Sequence, residues 1–366
     1  SLTDFFASVW SIGTMSIATT ALRLTFEALS RSGVASMAQP WTQGMGVIFC
    51  MHRVQPVQPG VGAFQPNANL SSTPEFLDAA LVLLRQSGFE FLSLDAAAAR
   101  IARQERGTKP FAVFTLDDGY RDNLQHAMPV FLKHACPFTV YVAPGFVDGT
   151  TEMWWMALEQ IIDRGAGQEV SIGDTRLCLS SGDVDKWKAW RILAPKVQGM
   201  PEHDQREWIR KEAVRFEVDL KQMCLSEIMS WEEVKAMAAS PLATIGAHTN
   251  NHFAVARLNE DEAREEIVQS GKRLEMELNR PVKHFAFPYG NVGHAEQRDF
   301  RLCLEAGYTT AVTTRLGTVF EEHASHMHAL PRVMVSGKYQ EPRWLRVLAQ
   351  GLPGRLANRG YRLNVG

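Results

Sequence analysis

Apolar residues fall into short unbroken runs that alternate, along most of the chain, with stretches of helical spacing. The runs Val47 to Met51, Phe89 to Leu94, Phe111 to Leu116, Phe138 to Ala143, Ala243 to Ala247, His284 to Phe287 and Thr309 to Thr313 are too short for ordinary helices. They predict strands covered on both faces. Between them, Thr73 can cap a helix with Pro74 at its first position, Phe76, Leu77, Ala80, Leu81 and Leu84 on one stripe, and Gly88 as its stop. An Ala-rich helix follows from Asp95, and others are expected at Asn123 to His134, Asn259 to Asn279 and Ala295 to Ala306. The helix from Asn259 has an Asn cap, Glu260, Asp261 and Glu262 in its first turn and Arg280-Pro281 at its end. Repeated strand, helix, strand units predict an α/β fold with a parallel sheet and helices outside, and their number favours closure into a barrel.

Three segments stand apart from this rhythm. Ser11 to about Ser32 has Ile17, Ala21, Leu24 and Leu29 on one side and Arg23, Glu27 and Arg31 between, an amphipathic helix. Its polar face carries few basic residues, so it is expected to dock on the main domain and not on a membrane surface. Ser36 to Gly46, with Pro40 and two glycines, reads as a connector. From about Gly149 to Ser230 the pattern is mostly helical and holds Trp154, Trp155, Trp187, Trp190 and Trp208, with Trp231 just beyond. Trp187 and Trp190 share a helix face, and most of these rings are expected to pack the insertion onto the barrel. The alternative is a rim on which sugar rings stack. The expected organisation is an N-terminal helix and connector over 1–46, a barrel with its insertion over 47–335, and a C-terminal helix and tail over 336–366.

Charge narrows the classes of function. The 38 Lys and Arg nearly cancel the 40 Asp and Glu, for a net charge of −2, so no global basic field exists to hold nucleic acid. Five cysteines form no C-x-x-C pair and are odd in number, and are read as reduced thiols. No uninterrupted apolar run approaches the roughly 20 residues of a spanning helix. A signal-peptide pattern is absent and a cytoplasmic protein is expected, although a start at Ser1 leaves a processed, exported or membrane-peripheral form open. Oligomeric state is not legible.

The chemistry gathers at strand ends. His52, Asp117-Asp118, His248 and Pro288-Tyr289 each follow a predicted strand, and barrel closure would bring these distant segments together. His248 and His252 stand four residues apart, a spacing that places both imidazoles on one side of a helical turn. Adjacent residues leaving a strand point in different directions, so one of the two aspartates can complete an Asp-His-His metal site while its neighbour stays free as a base. A divalent cation would also compensate two carboxylates held side by side. Gly119 permits the sharp turn that this requires. His284 reads as a packing histidine. His323, His326 and His328 lie in a polar loop without a cysteine or paired carboxylate, a poor second metal site.

Thr115-Leu116-Asp117-Asp118-Gly119, then His248-Thr249-x-x-His252, then Phe287-Pro288-Tyr289-Gly290 resemble, in order, three signature motifs of the polysaccharide deacetylases, the NodB-homology carbohydrate esterases. The resemblance spans roughly Val47 to Val335. It implies a distorted barrel with fewer than eight βα units, a divalent metal, usually Zn2+, and hydrolysis of acetyl groups on a saccharide. It further implies Asp118, His248 and His252 as metal ligands, Asp117 as general base and the backbone N–H of Tyr289 as oxyanion donor; the substrate site is expected at Pro288 and Tyr289, with Trp154 and Trp155 as the part of the insertion's rim that would meet the sugar.

Two positions depart from the common family pattern. Ala286 stands where many members have an arginine near the base, and Leu330-Pro331-Arg332 ends in arginine where they have the acid histidine. Met51-His52-Arg53-Val54 resembles a subset that carries the acid histidine at the end of the first strand. His52 is therefore expected as the acid, and Arg332 as the cation that positions or tunes Asp117. The leading function is removal of acetyl, most of all N-acetyl, from a GlcNAc-containing saccharide. The alternatives are hydrolysis of a small non-sugar amide or cyclic amide, and a catalytically weak carbohydrate-binding relative.

Overall fold

A computed structural model describes residues 17–57 and 62–366. Seven parallel strands carry the architecture: β1 (Gly46–Met51), β2 (Phe111–Leu116), β3 (Phe138–Val142), β4 (Ala243–Ala247), β5 (His284–Ala286), β6 (Thr310–Leu316) and β7 (Leu330–Met334). Each pairs with the next in sequence, and β7 returns to β1 through Phe49 opposite Val333 and Cys50 opposite Met334, which closes a distorted (β/α) barrel of seven strands. A two-residue strand, Glu90–Phe91, pairs with the start of β2, below the point where β3 takes over that edge. The run read as a strand from Phe89 to Leu94 is therefore only a short spur.

Alternation within the strands sorts their side chains between two cores. Val47, Phe49 and Met51, with Phe114, Leu116, Phe138 and Val140, face the surrounding helices. Ile48, Val113, Tyr141, Ala286, Val312 and Leu330 form a separate interior cluster, which Leu94, Ala97 and Ile101 of the helix Leu94–Ala102 join. Higher in the interior the side chains turn polar, with buried Thr115, Asp117, Thr313 and Arg332. The barrel is thus plugged by hydrocarbon at one end and lined with chemistry at the other.

The insertion contains the helices Trp154–Arg164, Asp183–Gly199, Glu202–Arg215 and Leu220–Glu227. It also holds a hairpin, Glu169–Ile172 with Thr175–Cys178, joined through Gly173-Asp174. The supposed connector at Ser36 to Gly46 is instead largely a helix, Val34–Thr42, that accommodates Pro40. The preceding helix spans Ile17–Ser32, and the part of it expected from Ser11 to Ser16 lies outside the described residues. These two helices pack on the C-terminal helices Pro342–Ala349 and Leu352–Ala357, with Phe26 stacked on Trp344 at 6.0 Å and Thr42 Oγ1 donating to Gln350 O at 2.6 Å. No described helix is long and apolar enough to cross a membrane.

Candidate metal-dependent hydrolase site

The ladder between β1 and β2 runs one residue past the strands, as the Asp117 N–H donates to Met51 O at 2.9 Å. Asp117 thus stays on the strand path and points inward. Asp118 and Gly119 then turn sharply with φ of +74° and +77°. Left-handed geometry is strained for an aspartate, and here it swings the second carboxylate away from the first.

Asp117 meets Arg332 from β7. The guanidinium donates from Nη1 to Oδ1 and from Nη2 to Oδ2, each at 2.7 Å, and also from Nη1 to Thr115 Oγ1 (3.0 Å) and from Nε to Thr313 O (2.8 Å). Both residues are buried. Burial pushes the Asp117 carboxyl up, but the Arg332 charge and its hydrogen bonds outweigh this and hold it below the usual carboxylate range. Cys50 Sγ adds a bond to Asp117 Oδ2 at 3.4 Å. Cys50, His52 and Asp117 bring their polar atoms within 4.8 Å of one another.

The second carboxylate meets two imidazoles. His248 Nε2 and His252 Nε2 lie 3.3 and 3.2 Å from Asp118 Oδ1. The Nδ1 of His248 is 2.8 Å from Ala286 O, which fixes the proton on Nδ1 and leaves an unshared pair on Nε2 facing the carboxylate. Asp118 Oδ1 is buried without a hydrogen-bond partner. Burial also pushes His252 down to about 4, so its ring is neutral near neutral pH. Three electron-pair donors converging in a buried space repel one another unless a cation lies between them. Ligands about 2.0 Å from a shared tetrahedral ion stand about 3.3 Å apart, which matches both contacts. The residues therefore fit a divalent ion.

The spacing of His248 and His252 had suggested a helical turn, but the segment is a loop in which Thr249 and His252 both have φ of +56°. The loop is held from outside. Asn251 bonds the Glu266 carboxylate through N at 2.7 Å and Nδ2 at 2.6 Å, and the Gly145 N–H donates to Asn250 O at 2.8 Å. Arg206, buried in the insertion helix Glu202–Arg215, donates to the carbonyls of Asn251 (3.3 Å), His252 (3.2 Å) and Glu152. Nothing in the local sequence marks Arg206 or Glu266, because their partners lie outside their own helices.

Tyr289, in a left-handed turn with φ of +59°, lies edge-on to His252 with ring centroids 5.1 Å apart, and its hydroxyl accepts from Trp154 Nε1 at 2.8 Å. Trp155 lies 5.2 Å from the His252 ring and donates to the Tyr120 hydroxyl at 3.2 Å. Both indoles are 7% exposed or less, so they wall the His248–His252 loop and offer no broad open face. Pro288 is buried beside them. His52 is half-buried, and its carbonyl accepts from Asn123 Nδ2 at 2.8 Å. Arg53 next to it binds Asp122 (2.7 Å) and Glu227 (2.6 Å) and lies over the Tyr120 ring at 4.6 Å, which secures the turn carrying His52. His284 packs at the far end of β5 against Thr310 Oγ1 at 2.9 Å, and His323 Nδ1 caps the Phe320 turn.

Residues 203–322 match the polysaccharide deacetylase family. That stretch is about a third of the chain. The matched part begins inside the insertion and contains both histidines and the Pro288-Tyr289 turn, and the pairing of β2 with β3 and of β3 with β4 sets Asp117 and Asp118 beside them. Enzymes of this family hydrolyse amide and ester bonds other than peptide bonds. No curated protein matches the chain in sequence. Its fold is similar to that of a Streptococcus pyogenes deacetylase, PplD, solved in complex with acetate, at a TM-score of 0.55 and 17% identity over 83% of this chain and 97% of that one. It is also similar to IcaB from Ammonifex degensii (TM-score 0.51, 20% identity, 84% and 98% of the two chains). A polysaccharide deacetylase from Bacillus cereus gives a TM-score of 0.51 and 15% identity over 82% of this chain and 68% of that one.

Proposed function

We propose that the protein removes acetyl groups, N-acetyl above all, from a GlcNAc-containing saccharide with the help of one divalent ion, most suitably zinc, held by Asp118, His248 and His252. The observation that carries this reading is the buried, unpartnered Asp118 Oδ1 facing two imidazole nitrogens, beside a second carboxylate that is kept ionised by arginine. When bound, the ion supplies a Lewis acid and a water of lowered pKa. Asp117 accepts the proton of the attacking water as its oxygen bonds to the acetyl carbon. The backbone N–H of Tyr289 donates to the carbonyl oxygen as negative charge develops there, worth about 3 kcal/mol if it behaves as other oxyanion donors do. The C–N bond then breaks, and the sugar nitrogen takes a proton from His52, leaving acetate and a free amine. Arg332 touches no reacting atom. It holds both oxygens of Asp117 in plane and keeps the carboxyl ionised.

Arg332 also bears on the weakly active alternative, which rested on Ala286 replacing an arginine near the base. A guanidinium reaches Asp117 from β7 instead. Acetate release from chito-oligosaccharides by the full chain, before and after chelation and again after adding zinc or cobalt, tests the proposal. Turnover is expected to vanish on chelation and return with the metal. Undiminished turnover in metal-free protein contradicts it.

A further inference from the structure

The terminal helices form a surface unlike the rest of the molecule. The segments 17–42 and 338–366 hold eight Lys and Arg against two Asp and Glu, a net charge of +6 in a chain whose total is −2. The sequence of the N-terminal helix alone concealed this, because six of the eight cations (Lys338, Arg343, Arg346, Arg355, Arg359 and Arg362) come from the opposite terminus and reach it only through packing. On the helix Val34–Thr42, Ala35 and Thr42 face inward, whereas Val34, Met37 and Trp41 form a separate exposed stripe. Met37 and Trp41 are 74% and 70% exposed. Leu24, Leu356 and Tyr361 add further exposed apolar surface to the same helical cluster.

We propose that this terminal module docks the protein peripherally on an anionic lipid bilayer, with Met37 and Trp41 entering the headgroup region and the arginines meeting lipid phosphates. Two observations favour lipid over protein. Glu27, Glu341 and Glu322 pair with Arg31, Arg343 and Arg362, yet the surface keeps a net positive charge that a two-fold contact with a second copy would press against itself. The sequence from Phe5 to Leu22, which reaches into the helix Ile17–Ser32, runs eighteen residues without a charge and includes Phe5, Phe6 and Trp10, a composition suited to the interface between headgroups and acyl chains.

Vesicle flotation with the full chain tests this, comparing phosphatidylcholine alone with phosphatidylcholine containing about 25% phosphatidylglycerol. Wild type is expected to float with the anionic vesicles, at least about tenfold more than with neutral ones, and to be released at about 0.5 M NaCl. The double variant Met37→Glu, Trp41→Glu should lose this binding by about tenfold, with circular dichroism and acetate release from soluble oligosaccharide unchanged. Arg23→Glu with Arg359→Glu should lose it as well. Equal flotation of wild type and the Met37, Trp41 variant, or no flotation with anionic vesicles, overturns the proposal. So does a concentration-dependent dimer that the Met37, Trp41 variant dissolves, since that assigns the face to a second copy.

Discussion

Two neighbouring aspartates have opposite partners, and that separates their chemistry. Asp118 faces only electron-pair donors, while Asp117 is gripped through both oxygens by a buried guanidinium. Asp117→Asn is accordingly expected to retain metal in elemental analysis but to lose about 10²- to 10⁴-fold in turnover. Wild-type activity in that variant would remove Asp117 from the mechanism. Arg332→Met takes away the charge that offsets burial, so the Asp117 carboxyl rises and the acid limb of kcat/KM moves to higher pH; a profile that stays in place counts against the pairing. The same pair stabilises the fold. Because Asp117 is depressed in the folded state, its contribution is present above the unfolded carboxylate value of about 4 and is lost as pH falls through the lower folded value. Breaking the pair should cost about 3 to 5 kcal/mol, read from denaturant melts. These residues were legible because each sits in a short motif at a strand end. Arg206 was not, since a side chain bonded to distant carbonyls leaves no trace in its neighbours.

At the scale of elements, most strands could be read because their apolar runs are continuous and bounded by polar turns. β7 was missed. Pro331 interrupts its pattern, and proline ordinarily argues against a central strand. Here Leu330 pairs with Val312 and Arg332 with Leu316 across a register shift, and the chain passes Pro331 between these pairs. The helix Val34–Thr42 was hidden in the same way by Pro40. The hairpin in the insertion had a usable signal, alternation through Val170, Ile172 and Leu177 around Gly173-Asp174. The left-handed residues of the His248–His252 loop had none, because a four-residue spacing equally suits a helix. That loop depends on the insertion. Arg206→Met should weaken zinc affinity about 10- to 100-fold, measured by competition with a chromophoric chelator, with the barrel's circular dichroism unchanged. Unaltered affinity would show that the insertion does not position His252.

Across the whole molecule, function depends on closure. Asp118 and the histidines are separated by the entire insertion, and the parallel pairing of β2 with β3 and of β3 with β4 brings them to one face, while the return of β7 to β1 brings Arg332 to Asp117. The sequence anticipated that convergence, since every motif fell at a strand end. It could not anticipate that the two termini would pool their charge, because no local pattern records which helices will pack together. The central claim is that three side chains from the loops after two strands, β2 and β4, share one ion, and anomalous diffraction from crystals grown with zinc measures this most directly. The account predicts one strong anomalous peak bonded to Asp118 Oδ1, His248 Nε2 and His252 Nε2, absent from Asp118→Asn crystals. A zinc-saturated crystal with no peak among those three atoms would contradict it.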